Sequence, residues 1–236
     1  MIGALGWGAL AASSLVLGAF LALVRTWSDS FVGLVLGFGA GALIASVSFE
    51  LAEEGLSVGG AWWPVALGLA VGGATFYLAN RWVESRSPAT GGAAGATLAL
   101  GAFLDGIPEQ AVLGIGLAQG QGVSAALLVA IFASNLPEAI GSAADMRSSG
   151  RSKGHVLGLW AAVAAACALA TAGGYLAADA VSSTMSAAID GFAAGALLTM
   201  LIDSMIPEAK DKAKDLAGLA TVAGFALAAG LSLLGQ

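Results

Sequence analysis

Residues 31–52 read F-V-G-L-V-L-G-F-G-A-G-A-L-I-A-S-V-S-F-E-L-A, an apolar run of 22 residues with one charge, Glu50. An α-helix of this length is about 33 Å long and crosses the roughly 30 Å hydrocarbon core of a bilayer. Part of the run returns later, because G-F-G-A-G-A-L-I at 37–44 is repeated as G-F-A-A-G-A-L-L at 191–198. The same offset of 154 residues relates Glu54 to Glu208. The pattern predicts two related membrane-spanning helices.

The composition extends this interpretation to the whole chain. Of 236 residues, 58% are hydrophobic and only 10% are charged, which excludes an ordinary soluble domain. A single cysteine, Cys167, excludes an internal disulfide. We therefore predict an all-α, polytopic membrane protein with one transmembrane domain over residues 1–236. Its eight predicted spans lie at about 2–24, 31–52, 62–83, 92–118, 122–146, 154–178, 186–209 and 215–235.

Basic residues predict the orientation of these spans. All nine fall in the connections that open on one face: Arg25, Arg81, Arg86, Arg147, Arg151, Lys153, Lys210, Lys212 and Lys214. Positively charged connections stay in the cytoplasm. We therefore expect a multi-pass protein of the cell membrane with both termini extracytoplasmic.

A second repeat lies between the two copies of the first. F-L-D-G-I-P-E at 103–109 returns as F-A-S-N-L-P-E at 132–138, in spans that run in opposite directions. Spans 2 and 7 also run in opposite directions, so both repeats are inverted, as in many secondary transporters. The sequence thus predicts a 3+2+3 inverted-repeat bundle.

The chemistry is concentrated at three Pro-Glu pairs, at 108–109, 137–138 and 207–208. A carboxylate at membrane depth is costly unless it is paired, protonated or bound to a cation. Proline has no N–H, so the carbonyl four residues before it is left free to accept a water or a cation. A glutamate next to a proline in an apolar stretch therefore favours a cation site over a role in packing.

Residues four apart share a helix face, which places Asp105 beside Glu109 and Ser134 beside Glu138. With Asn135, these side chains form a predicted mid-membrane cluster of oxygen ligands, and Asp203 is a candidate contributor from span 7. We expect the empty cluster to hold a proton and a divalent cation to displace it.

Other acids and the lone histidine have weaker predicted roles. Glu50 and Glu54 lie near the outer mouth of a transport route, and Glu208 lies near the inner mouth. For Glu208, a salt bridge to a neighbouring lysine is an equal alternative. His155 begins span 6, where an interfacial role outweighs metal binding.

Taken together, these residues resemble the ZIP (Zrt/Irt-like) divalent metal transporters. The resemblance rests on D-G-I-P-E in span 4, S-N-L-P-E-A in span 5 and D-S-M-I-P-E-A in span 7, and it covers essentially the whole chain. It implies eight spans, extracytoplasmic termini and a binuclear metal site. By position, it implies that Glu109 and Glu138 bridge the metals, that Asp105 and Ser134 flank them, that Asn135 serves a second metal, and that Asp203 replaces a histidine.

The chain departs from the family pattern in ways that bear on the metal. Asp105 and Gly106 stand in place of histidine and asparagine in span 4, and Ser204 replaces a glutamate in span 7. Oxygen ligands are harder than imidazole, so manganese, iron(II), magnesium and calcium gain weight beside zinc, cadmium and cobalt. One bound metal instead of two is compatible with this reduced ligand set.

The leading hypothesis is therefore a divalent metal transporter that carries zinc, manganese, iron or a related ion to the cytoplasm by alternating access. The family resemblance implies that spans 1, 4, 5 and 6 rock against spans 2, 3, 7 and 8. A proton-coupled carrier of a small organic or cationic solute is the alternative, and an intramembrane hydrolase lacks a recognisable centre. We expect membrane lipids and divalent cations as partners and no nucleic acid, and the sequence is compatible with a homodimer.

Overall fold

The computed structural model describes residues 2–25, 27–52, 62–86, 93–118 and 125–235, and the regular structure within them is helical. Nine α-helices are described there: α1 (Ile2–Val24), α2 (Asp29–Ser46), α3 (Trp62–Arg86), α4 (Ala93–Ala118), α5 (Ala125–Ser148), α6 (Lys153–Ala177), α7 (Ser183–Met200), α8 (Ile206–Ala213) and α9 (Leu216–Gly235). A π-helical segment, Val47–Ala52, continues α2, and a second one, Leu201–Met205, joins α7 to α8. A 3-10 turn, Ala178–Ala180, follows α6.

Several of these helices are long and apolar enough to cross a membrane. Within the described ranges there are five such stretches: Ile2–Val24, Asp29–Phe49, Trp62–Trp82, Lys153–Ala180 and Ser183–Ala213. Large apolar side chains also point outward, and Leu219 and Val222 on α9 are 68% and 67% exposed. Exposed apolar faces of this kind are typical of lipid contact. The all-α class is confirmed, the long apolar helices suggest a membrane protein, and the count of eight spans stays a prediction.

The buried side chains form two main hydrophobic clusters. The first joins α2, α7, the second π segment and α8, and it includes Phe76 of α3 and Ala217 of α9. The second joins α1, α5 and α6, and it includes Ala99 and Ala102 of α4. Both clusters are rich in alanine, whose small side chain lets helix backbones approach closely. Such close packing holds helices together in lipid, where the hydrophobic effect does not drive their association. The described chain is therefore packed around two cores, with α5 of one touching α2 of the other.

The glycine-rich repeat has a counterpart in the packing. On α2, Gly41 faces the backbone oxygen of Thr221 on α9 so closely that an added β-carbon would collide with it. On α7, the equivalent Gly195 faces the backbone oxygen of Leu69 on α3 in the same way. Helix pair α2–α9 and helix pair α7–α3 are thus built alike.

The two π segments fall at equivalent places in the repeat. The second begins 154 residues after the first, the same offset that relates the two glycine-rich stretches. A π turn takes one extra residue and often marks a functional position. Glu50 lies in the first segment and Asp203 in the second.

The prolines do not break helices α4 and α5. Pro137 lies inside α5, which is a continuous α-helix from Ala125 to Ser148, and α4 likewise runs through position 108. Proline in a helix interior removes one hydrogen bond even where the helix continues. The expected opening of the backbone is therefore limited to single missing hydrogen bonds, whereas span 7 has its irregular segment before Pro207.

Candidate functional site

Glu138 of α5 is the most deeply buried acidic side chain in the described part of the chain, at 0% exposed. Neither carboxyl oxygen makes a hydrogen bond of ordinary geometry with a described group, although the backbone of Ala102 on α4 lies close by. Buried polar atoms are nearly always partnered in folded proteins. A bound cation would compensate for the cost of burying a carboxyl that has no hydrogen-bond partner.

Close packing on both sides holds Glu138 in place. On the α1 side, a β-carbon added at Gly18 would lie 2.7 Å from the backbone oxygen of Leu136 and 2.7 Å from the β-carbon of Ala139. On the α2 side, one added at Gly39 would lie 2.8 Å from Pro137. Both glycines allow neighbouring helices to press against α5 on either side of this turn. The carboxyl therefore sits on a rigid element between the two hydrophobic clusters.

A second acidic residue faces Glu138 from α4. Glu109 is half-buried, and its charge interacts with that of Glu138 across the α4–α5 contact. Asn135, one helical turn before Glu138, is 4% exposed, so an amide group lies on the same face of α5. The structure thus places Glu109, Asn135 and Glu138 on the two helices that meet at the α4–α5 contact, and their joint role as cation ligands stays a prediction.

Helix α7 closes the site with a methionine. A β-carbon added at Gly101 of α4 would lie 2.6 Å from Cγ and 3.2 Å from Sδ of Met200, and 3.5 Å from Oε1 of Glu138. Met200 is fully buried, so its thioether and the Glu138 carboxyl meet over the same glycine. A thioether is a soft, weak donor. The sequence analysis missed Met200 because a methionine in an apolar helix carries no chemical signal.

A buried polar pair lies one residue beyond Glu109. The hydroxyl of Thr171 on α6 donates to Oε1 of Gln110 at 2.6 Å, and both side chains are at most 1% exposed. This bond fixes α4 to α6 beside the acidic pair. The sequence analysis also missed Gln110, although a glutamine directly after I-P-E in an apolar run is a usable signal.

Asp203 lies in a different pocket from Glu138. It is exposed, and it lines a cavity of about 580 Å³ together with Tyr77, Asn80, Arg81 and Ser85 of α3. Within that cavity Arg81 donates to the hydroxyl of Tyr77 at 2.8 Å. The structure therefore does not bring Asp203 to the α4–α5 acids.

The remaining predicted residues divide into those whose side chains are described and those whose are not. Glu208 pairs with Lys212 at 2.9 Å, so the salt-bridge alternative for this residue is the one observed. Asp105 lies on α4, Ser134 on α5 and Glu50 in the first π segment, but their side chains lie outside the described residues, as does the whole of Glu54. The exposed His155 begins α6, and its backbone N–H donates to Oγ of Ser152.

The arrangement offers carboxylate, amide and thioether donors in a helical interior where Asn135, Glu138 and Met200 are buried. Among the described side chains, no three or more His, Cys, Asp or Glu residues are grouped as a metal site. Glu109 and Glu138 form a pair, and any further acidic ligand from α4 would be Asp105. Two carboxylates can neutralise one divalent cation.

Comparisons with known proteins leave the family open. The chain matches no family model, and no curated protein matches it.

Proposed function

We propose that this protein transports divalent metal cations across the cell membrane, with Glu109 and Glu138 holding the cation between α4 and α5. The observation that carries the proposal is the Glu138 carboxyl, which is fully buried and has no hydrogen bond to a described group. A charged or protonated carboxyl is expensive in such a place unless a ligand occupies it during function. The resemblance to ZIP transporters implies that the transport runs toward the cytoplasm.

The packing supports an inverted-repeat transporter with a 3+2+3 plan. The α2–α9 and α7–α3 pairs are built alike, and the π segments lie at equivalent positions. In such proteins the site lies near the midplane, where the repeats meet. On this proposal the two hydrophobic clusters are the bodies that move against each other, and the site lies where α5 meets α4 and α7. A divergent, histidine-poor ZIP-like transporter is the class that these features fit best.

The donor set favours a range of metals over strict zinc selectivity. Carboxylate and amide oxygens suit manganese and iron(II), whereas the Met200 thioether suits zinc and cadmium. We propose that the cation is taken up as substrate in exchange for a proton on the acidic pair.

Uptake into proteoliposomes tests the proposal. Manganese, iron(II), cobalt, zinc and cadmium are offered to the wild type and to Glu109→Ala and Glu138→Ala, with Asp179→Ala as a control at an exposed acidic residue outside the site. We expect both site variants to lose uptake by at least about tenfold, because each removes half of the charge that neutralises the cation. The control should transport like the wild type.

Unchanged uptake in both site variants would reject the site. Metal-independent proton flux that needs Glu138 would favour instead the carrier of a small organic or cationic solute. A metal that binds but does not cross would make the protein a receptor.

A further inference from the structure

A second pocket, of about 480 Å³, lies at the end of the helices that carries many of the basic residues. Arg147, on its wall, is nine residues after Glu138, or about 13 Å along α5. The pocket is formed by the end of α1, the start of α2, the end of α5, the start of α6 and a side chain of α8. Its polar lining consists of Arg25, Asp29, Arg147, Ser148, Lys153 and Lys212.

The charge of this pocket is strongly positive. It gathers four of the nine basic residues of the chain against one carboxylate, Asp29. Lys212 is already paired with Glu208 at 2.9 Å. For Arg25, Arg147 and Lys153, no ion pair with a carboxylate is found in the described part of the chain. The pocket therefore keeps at least two positive charges in excess.

Several of the wall side chains are held in position. Trp27 donates from Nε1 to the backbone oxygen of Leu21 at 3.0 Å, and the Arg25 guanidinium lies 5.2 Å from the centre of its ring. A guanidinium N–H of Arg147 donates to the backbone oxygen of Arg151. These contacts order the cations before any ligand arrives, which reduces the entropy lost on binding.

We infer that this pocket binds a phosphate-bearing anion, of which the headgroup of an anionic phospholipid and a soluble phosphate are the two sources. Guanidinium groups hold phosphate by paired hydrogen bonds, and lysine adds a point charge. Asp29 and Ser148 can bond to hydroxyl groups next to the phosphate, as a phosphoglycerol headgroup would present. Basic pockets between helix ends suit anionic headgroups at the inner leaflet.

Because of the position of the pocket, a bound anion would contact both hydrophobic clusters. On its wall, Ala22 belongs to the α1–α5–α6 cluster, Val32 belongs to the α2–α7–α8 cluster, and Ala144 packs against both. An anion bound there would tie the two clusters together. This consequence rests on the proposed transport mechanism, but binding itself does not.

Two measurements on the full-length protein test the inference. Native mass spectrometry counts phosphatidylglycerol molecules retained by protein released from nanodiscs of phosphatidylcholine with phosphatidylglycerol. Thermal unfolding in phosphatidylcholine alone then records the shift that inorganic phosphate produces. One test variant carries both Arg147→Gln and Lys153→Gln. The other carries only Arg25→Gln, at the position directly after the end of α1. The control is Lys210→Gln with Lys214→Gln, which removes the same charge from side chains outside the pocket.

We expect the double pocket variant to lose binding by about tenfold or more, Arg25→Gln to lose several-fold, and the control to stay within about twofold of the wild type. Retained phosphatidylglycerol without a phosphate shift identifies a lipid site, and a phosphate shift without retained lipid identifies a soluble anion. Equal losses in pocket and control variants would overturn the inference, as would no binding of either probe to the wild type. None of these readouts involves metal uptake, so failure here leaves the proposed transport function untouched.

Discussion

Among single residues, Glu138 is the acidic side chain buried most deeply in the described part of the chain. Its carboxyl is fully buried and lacks a hydrogen bond to a described group, while Glu109 adds a like charge nearby. Packing alone would favour an apolar or amide side chain at this place. On the proposed function, the residue lowers the stability of the folded protein and gains a ligand.

Replacing Glu138 by glutamine should separate these two effects. Glu138→Gln keeps the shape and removes the charge, so we expect metal uptake to be lost while the melting temperature stays equal or rises by a few degrees, at about 2–4 °C per kcal/mol. Uptake and thermal unfolding are measured on the same preparation. Glu208→Gln is the matched control, because it breaks the ion pair with Lys212 and should lower the melting temperature. A fall in stability with Glu138→Gln would contradict the argument.

Met200 allows a test of metal preference. Met200→Leu keeps the apolar volume and removes the sulfur next to Glu138, so we expect uptake of cadmium and zinc to fall several-fold relative to manganese. Competition among the three metals in one uptake assay measures the ratio. Met185→Leu on the same helix is the control, because Met185 is 55% exposed and far from the site in sequence. An unchanged ratio in Met200→Leu would exclude the thioether as a ligand.

At the scale of elements, close helix pairs depend on individual glycines. On α9, Gly224 faces the backbone oxygen of Phe38 on α2, and a β-carbon added there would collide with it. Gly218, on the same helix, has nothing within 4 Å of such a carbon. The two positions share a helix and differ in what they contact.

We therefore expect opposite effects from the same substitution. Gly224→Ala should destabilise the protein by about 1–3 kcal/mol through overpacking, whereas Gly218→Ala should be neutral or stabilise by about 0.5–1 kcal/mol through better helix propensity. Thermal or denaturant unfolding in detergent measures both. Equal effects at the two positions would show that the α2–α9 contact is looser than the structure indicates.

The elements also show what the sequence could and could not predict. The apolar run lengths placed the helices within a few residues, and the repeated P-E pairs pointed to Glu109 and Glu138, whose charges interact across the α4–α5 contact. That the two residues form a cation site stays a prediction. The π segments were not predictable, because V-S-F-E-L-A and L-I-D-S-M share no glycine, proline or other local signal. Asp203 lies inside such a segment, where the extra residue rotates side chains away from the α-helical period.

At the scale of the whole molecule, the distribution of charge predicts how the protein sits in the membrane. The basic residues Arg25, Arg147, Lys153 and Lys212 meet in one pocket, although three separate connections supply them. The positive-inside rule assigns that end of the protein to the cytoplasm. The chain termini would then lie outside.

Cysteine labelling tests this orientation with little background. The native Cys167 is 1% exposed, so a membrane-impermeant maleimide should not reach it. We expect Asp179→Cys to be labelled in intact cells and Lys214→Cys only after the membrane is opened, because both positions are exposed but at opposite predicted faces. The two single variants control for each other. The reverse labelling pattern would invert the predicted topology.

The acidic pair between α4 and α5 also determines how the proposed transporter responds to voltage. Glu109 and Glu138 balance a dication, so the loaded protein would move no net charge through the membrane field. Each uncompensated elementary charge is worth about 2.3 kcal/mol per 100 mV. With the exchanged proton in place of cargo, the pair would return carrying one negative charge, and a cell interior at negative potential would drive that return outward. The electrical gradient would thus act on the resetting of the empty protein and leave the loaded step unaffected.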